Sequence, residues 1–122
     1  MTTVQEIIGR VDDVKPNAYS NAQKVAWLNE LEGNIQLEIY LKKVDELTRL
    51  ETVNDDLLVP FPFDSIYNYY LQAMIDFHNG EYDRYENTYA MYNSKLEDYM
   101  VWYTTHYPTV GSIVRGVTEG GN

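Results

Sequence analysis

The chain has no cysteine, which removes disulfides, thiol nucleophiles and thiolate metal sites together. It has only two histidines, His78 and His106, so a neutral imidazole base is in short supply. Positive charge is also scarce. Nine lysines and arginines face 19 aspartates and glutamates, giving a net charge of −10 and a pI near 4.4. Such a chain repels phosphate, which argues against binding nucleic acid through its backbone. No stretch approaches the ~18 apolar residues of a membrane span, and no basic, apolar leader opens the chain, so synthesis in the cytosol is expected. What is abundant is tyrosine, with 12 among 122 residues. That length suits one domain with a modest core.

The tyrosines are patterned. Positions 82, 85, 89, 92, 96, 99 and 103 alternate steps of three and four; six are tyrosine and the seventh is Leu96. This heptad seam predicts a helix over Tyr82 to Tyr103, roughly 33 Å long at 1.5 Å per residue. Asp83, Arg84, Asn87, Ser94, Glu97 and Asp98 fall on its other side, so one face is ring-lined and one is wet. A tyrosine ring buries much apolar area, but its hydroxyl wants a partner. The seam therefore suits either a core or a half-wet subunit contact.

Thr3-Val4-Gln5-Glu6 has the spacing of a capping box and predicts a first helix that buries Val4, Ile7, Ile8 and Val11 and ends near Val14. Ser20 with Gln23 repeats the signal ahead of a second helix with Val25, Leu28, Leu31, Ile35 and Ile39 on one face. Gly33 inside it either admits a close neighbour or is a local weakness. Residues 41–59 fit a prolonged helix or an extended segment equally well, with a turn at Asn54-Asp55-Asp56. Leu57 to Pro62 is expected to be an extended, proline-rich arm, because each proline pushes its predecessor out of the helical region. Phe61 and Phe63 either anchor that arm or face a partner, and anchoring is the expectation. Asp64 is a suitable N-cap for a third helix with Ile66, Tyr67, Tyr70, Ala73, Met74 and Phe77 on its apolar face. Asn79-Gly80 then turns it into the fourth helix as an antiparallel hairpin, which Pro108 ends. The fold class is all-α: a small helical bundle spanning residues 1–108. The four glycines and single apolar cluster of residues 109–122 predict a flexible tail.

Nothing in the sequence has the form of an active site. His106 continues the seam, where an interior, hydrogen-bonded histidine is expected. His78 and Glu81 straddle the Asn79-Gly80 corner. Asp83 and Glu86 are an i, i+3 carboxylate pair, but a magnesium-dependent hydrolase needs a matching pair on a facing helix. Glu30 and Glu32, two apart, point different ways. No phosphate loop, metal-binding helix motif or calcium loop occurs. No enzyme activity, cofactor or metal is expected.

The order of features in the second half is more distinctive than any one of them. Leu57-Leu58-Val59-Pro60-Phe61-Pro62-Phe63-Asp64 leads to Ile66-Tyr67, Tyr70-Leu71, Ile75-Asp76-Phe77 and Asn79-Gly80-Glu81. Tyr85, Asn87, Met91, Asn93, Tyr99 and Thr105-His106-Tyr107-Pro108 follow, with Lys24, Trp27-Leu28 and Glu30-Leu31 upstream. Over roughly Asp12 to Pro108 this resembles the small head–tail connector (adaptor) proteins of prophages and long-tailed phages of Gram-positive hosts. Thr104 departs from the pattern, which has an arginine before the Thr-His pair. The resemblance implies a helical bundle that forms a ring with copies of itself beneath the portal protein in the virion. The ring would extend a channel through which DNA passes without specific binding, and would seat the tail or a stopper protein. Candidate oligomer or portal contacts are then Phe61, Phe63, Tyr69, Tyr82, Tyr89, Ile113, Val114 and Arg115. Composition alone leaves another class open: an acidic intracellular helical module, monomer or dimer, that inhibits or sequesters a basic partner.

Overall fold

The structure, a computed structural model, describes residues 1–107 and is all-α. Its elements are α1 (Val4–Val14), α2 (Asn21–Glu38), a single 3-10 turn (Val44–Glu46), α3 (Ser65–His78) and α4 (Tyr82–His106). The tail expected over 109–122 lies outside the described residues, as do Ile113, Val114 and Arg115.

Helix α1 starts where its cap signal lies. The Glu6 amide donates to Thr3 Oγ1 and the Glu6 carboxylate accepts from the Thr3 amide. Its other first-turn donors are met from a distance: the Val4 and Gln5 amides donate to the carbonyls of Asp55 and Val53. A lone antiparallel bridge between Thr3 and Asp56 completes that seam. The buried face is Val4, Ile7, Ile8 and Val11, as its periodicity predicts. Ser20 caps α2 through the Gln23 amide. No helix approaches Gly33, where an added methyl would meet nothing within 4 Å.

Helix α3 is the centre of the bundle. Its buried residues are Ile66, Tyr67, Tyr70, Leu71, Ala73, Ile75 and Asp76, which go well round the helix. Helices α1, α2 and α4 all pack against it. That explains why burial extends beyond the expected single apolar face; Phe77, assigned to that face, is exposed at the last turn of α3. Asp64 sits at the N-cap position but does not cap. Its backbone is helical, the Tyr67 amide donates to the Asp64 carbonyl, and its carboxylate accepts from Thr2 Oγ1 at 2.6 Å and pairs with Arg10 at 3.4 Å. It ties the N-terminus to α3 instead.

At the α3–α4 corner Gly80 has φ +76°. The Glu81 amide donates to the Asp76 carbonyl and the Gly80 amide to that of Phe77. These paired bonds are the Schellman arrangement, which needs a left-handed residue. Ring pairs then run in opposite directions along the two helices: Phe77 with Tyr85, Tyr70 with Tyr92, and Phe63 with Tyr99 and Trp102. The hairpin is antiparallel.

Residues 39–64 are neither a prolonged helix nor an extended arm. After α2 the chain turns through Leu41, held at φ +56°. The stretch is then laid along α2 by three polar side chains spaced i, i+3, i+7. The Asn29 amide group exchanges two bonds with the backbone of Leu50 (2.7 and 2.8 Å). Gln36 does the same with Thr48 (2.9 and 3.0 Å). Glu32 between them accepts from the Leu58 amide at 2.9 Å. The arm ends in a tight turn across a cis Phe61–Pro62 bond, closed by the Phe63 amide donating to the Pro60 carbonyl.

Candidate docking surface

The tyrosine seam of α4 is used at two levels. Tyr92 and Tyr99 are buried, Tyr85, Tyr89, Leu96 and Tyr103 are half-buried, and Tyr82 is 60% exposed. The wet-face residues Asp83, Arg84, Asn87, Ser94, Glu97 and Asp98 are all exposed. The seam thus packs on α3 through its middle and is open on its flanks. The buried Tyr99 hydroxyl finds a partner in half-buried Tyr40, 2.7 Å away, and burial pushes both phenols above their ordinary range.

One open flank faces α2. Between the helices lies a groove of about 260 Å³, floored by Leu31, Ile35, Ile39 and Leu96 and rimmed by Asn34, Glu38, Asn93 and Met100. The other flank faces the arm, where Pro62 and Phe63 meet Lys95 and Asp98. The two phenylalanines of the arm part company. Phe63 anchors it, with ring centroids 5.2 Å from Tyr99 and 5.1 Å from Trp102. Phe61 is 82% exposed, against the expectation that it anchors. The turn that buries Phe63 points its neighbour two residues back outward. Tyr69 is half-buried.

The histidines are not interior groups. His106 is exposed, because the seam runs past the end of α3; its ring stacks on Trp102 at 4.8 Å and Nδ1 lies 2.8 Å from the Trp102 carbonyl. His78 packs on Trp27 at 4.8 Å with Nδ1 2.9 Å from the Met74 carbonyl, while Glu81 pairs with Arg84. Asp83 and Glu86 are exposed on α4. Glu30 is exposed and Glu32 buried, so those two do diverge. Among the described residues no three His, Asp or Glu side chains converge as a metal would require, and no helix is long and apolar enough to cross a membrane.

The polar groups that sequence reasoning missed are buried supports. Glu32 Oε1 accepts from the Tyr67 hydroxyl at 2.5 Å, and that hydroxyl accepts from the Val59 amide at 2.9 Å. Burial raises the Glu32 carboxyl above its ordinary value, offset in part by its bonds to Tyr67 and Leu58. It also raises the Tyr67 phenol, and the neighbouring carboxylate adds to the effect. Asp76, buried on α3, holds Lys15 at 2.6 Å and Thr88 at 2.9 Å, which joins α3 to both α4 and the end of α1. Buried Lys24 pairs with Asp12 at 2.9 Å. The one sequence cue to the first group is the i, i+3, i+7 spacing of Asn29, Glu32 and Gln36 beside the apolar stripe of α2.

No protein-family model, curated protein or solved structure matches this chain.

Proposed function

We propose that this chain is a head–tail connector of a phage virion: a protomer that joins copies of itself in a ring between portal and tail and performs no reaction. The observation that carries the reading is the half-open aromatic hairpin. Tyr82 and Phe61 present large apolar groups to solvent while Tyr89 is partly covered, which suits contacts completed by neighbours. The ordered likeness of residues 12–108 to the connector proteins supplies the kind of neighbour: other copies, a portal protein above and a stopper or tail-completion protein below. The net charge of −10 fits a channel wall that offers phosphate no binding energy, so DNA slides past without adhering. Candidate contact residues remain Phe61, Tyr69, Tyr82 and Tyr89, with Ile113, Val114 and Arg115 beyond the described part; Phe63 is instead taken up by its packing on Tyr99 and Trp102.

Light scattering at high protein concentration, followed by negative-stain imaging with and without a portal protein, tests this. Rings or portal-bound collars are expected. A persistent monomer that ignores portal and captures a basic protein would replace the reading with that of an acidic inhibitor. Ending the chain at Pro108 should leave the bundle folded, because the core described above lies wholly before it, yet abolish docking on portal. Undiminished docking would remove the tail from the contact.

A further inference from the structure

We propose that Asn79 is a guarded modification site: its side-chain amide converts to aspartate and isoaspartate when the α3–α4 corner opens, and the hydroxyl of Tyr19 holds that corner closed. Asn79-Gly80 is the only Asn-Gly pair in the chain. Asparagine amides are thermolabile, and a following glycine lets its own backbone nitrogen approach the side chain because no Cβ stands in the way. The Gly80 nitrogen attacks Asn79 Cγ and gives up its proton; a C–N bond forms, the Cγ–Nδ2 bond breaks and ammonia leaves. Water then opens the cyclic imide at either carbonyl. One opening gives aspartate, and the other gives isoaspartate, with the main chain rerouted through Cγ. Water is the one co-reactant.

The pair is open to water but tied down. Asn79 and Gly80 are both exposed. Ring closure needs the Gly80 nitrogen free and the Asn79 side chain able to swing over it. In the fold the Gly80 amide donates to the Phe77 carbonyl at 3.0 Å and the Asn79 amide to that of Ile75 at 2.9 Å. Asn79 keeps a helical backbone, with φ −80° and ψ −6°. Its side chain is held as well: Oδ1 accepts from the Tyr19 hydroxyl at 2.7 Å, and Nδ2 lies 3.4 Å from Glu81 Oε1. Among the described residues, the Tyr19 bond is the one that reaches this side chain from outside the corner.

Tyr19 is itself firmly placed. Its amide donates to Asn17 Oδ1 at 3.1 Å, and Asn17 Nδ2 donates in turn to Asp12 Oδ1 and to the Lys15 carbonyl. Its ring meets Trp27 edge-on, with centroids 5.2 Å apart. The link between α1 and α2 is thus braced from both sides and delivers the hydroxyl to the corner. Conversion disturbs what the corner holds. Isoaspartate adds a backbone carbon between positions 79 and 80, which breaks the register of the bonds from Gly80 to Phe77 and from Glu81 to Asp76. Phe77 touches Tyr82 and Tyr85 across that turn, so this end of the aromatic hairpin loosens. Either product also puts a negative charge at the C-terminus of α3, where the helix dipole disfavours it.

The full chain is incubated at mildly alkaline pH, with and without urea. Peptide mapping by mass spectrometry follows the exchange of NH2 for OH at Asn79, and an isoaspartyl methyltransferase labels the isoaspartate. The folded chain should convert much more slowly than the chain in urea; equal rates would overturn the proposal. Tyr19→Phe removes the hydroxyl alone and should speed conversion of the folded protein roughly five-fold, the factor that one neutral hydrogen bond contributes to keeping the corner closed. Asn29→Ala weakens the fold away from the corner and should leave the folded-state rate unchanged. An unchanged rate in Tyr19→Phe would overturn the guarding role. A slower one would do so too, making the hydroxyl a promoter that polarises the amide. Acceleration by Asn29→Ala as large as that by Tyr19→Phe would place the reaction in the globally unfolded chain and end the proposal.

Discussion

Replacing Tyr67 with phenylalanine removes one oxygen from the centre of the molecule, and its effect can be worked out in advance. The side chain is fully buried. Its hydroxyl donates to the Glu32 carboxylate at 2.5 Å and accepts from the Val59 amide at 2.9 Å. A bond to a charged group contributes about 1.5–3 kcal/mol, and a buried amide left without an acceptor costs about 1–3 kcal/mol. Relief from burying the hydroxyl offsets part of this. A net loss of about 3 kcal/mol is expected, a large share of the roughly 5–15 kcal/mol that holds a small domain together. In a domain of this size the melting temperature should fall by about 12 °C or more. Urea unfolding followed by far-UV circular dichroism measures the loss, with an unchanged slope as the sign that both end states are preserved. Tyr70→Phe is the control. Tyr70 is also buried, its ring packs on Tyr92 at 5.0 Å, and its hydroxyl has no hydrogen-bond partner among the described residues. It should lose less than about 1 kcal/mol. If the two substitutions are equally mild, the Glu32–Tyr67–Val59 chain does not hold the arm and the reasoning fails.

Glu32→Gln tests the charge in that chain. The folded protein keeps the Glu32 carboxyl above its ordinary 4.5, so it binds this proton more tightly than the unfolded chain does. The group's contribution is fully present below pH 4.5 and is lost as pH rises through the folded value. The stability of wild type relative to Glu32→Gln should therefore decline from pH 4.5 upward, by at most about 1.4 kcal/mol per pH unit, whereas parallel curves in urea titrations would refute the assignment. Asn29→Ala removes both bonds to Leu50 and should cost about 1–3 kcal/mol while raising amide exchange at Leu50; slow, unchanged exchange there would show that packing alone holds the segment. Gly80→Ala meets no neighbour within 4 Å, so its cost is the left-handed backbone alone, roughly 1–2 kcal/mol. Gly80→Asn should cost less, and equal melting temperatures for the two would mean that the corner relaxes out of the left-handed region.

What was legible in the chain was whatever depends on neighbours within one or two turns. The capping pairs Thr3–Glu6 and Ser20–Gln23, the Asn79-Gly80 corner and the three-and-four spacing of the α4 tyrosines are local, and the helices lie where these signals put them. The segment 39–64 was not legible because its partners are distant. It has too little periodic apolar character to choose a secondary structure, and its backbone groups are met by Asn29, Glu32, Gln36 and Tyr67 from other elements. Asp64 differs from expectation for a related reason: a carboxylate at a helix start has a local use, but this one is bound by Thr2 and Arg10 from the N-terminal part of the chain and makes no cap bond to α3.

By itself, then, the sequence determined four helices, the inward stripes of α1 and α2 and an acidic, cysteine-free composition, since hydrophobic period and composition act through short stretches of chain. Only the tertiary structure decided which rings stay wet. Packing of α1, α2 and α4 against α3 buries Tyr67, Phe63 and Tyr40 cover Tyr99, and the turn at Pro60–Phe63 sends one phenylalanine inward and the other into solvent. A side chain's exposure is set by what lies across from it, and that neighbour is supplied by residues far away along the chain.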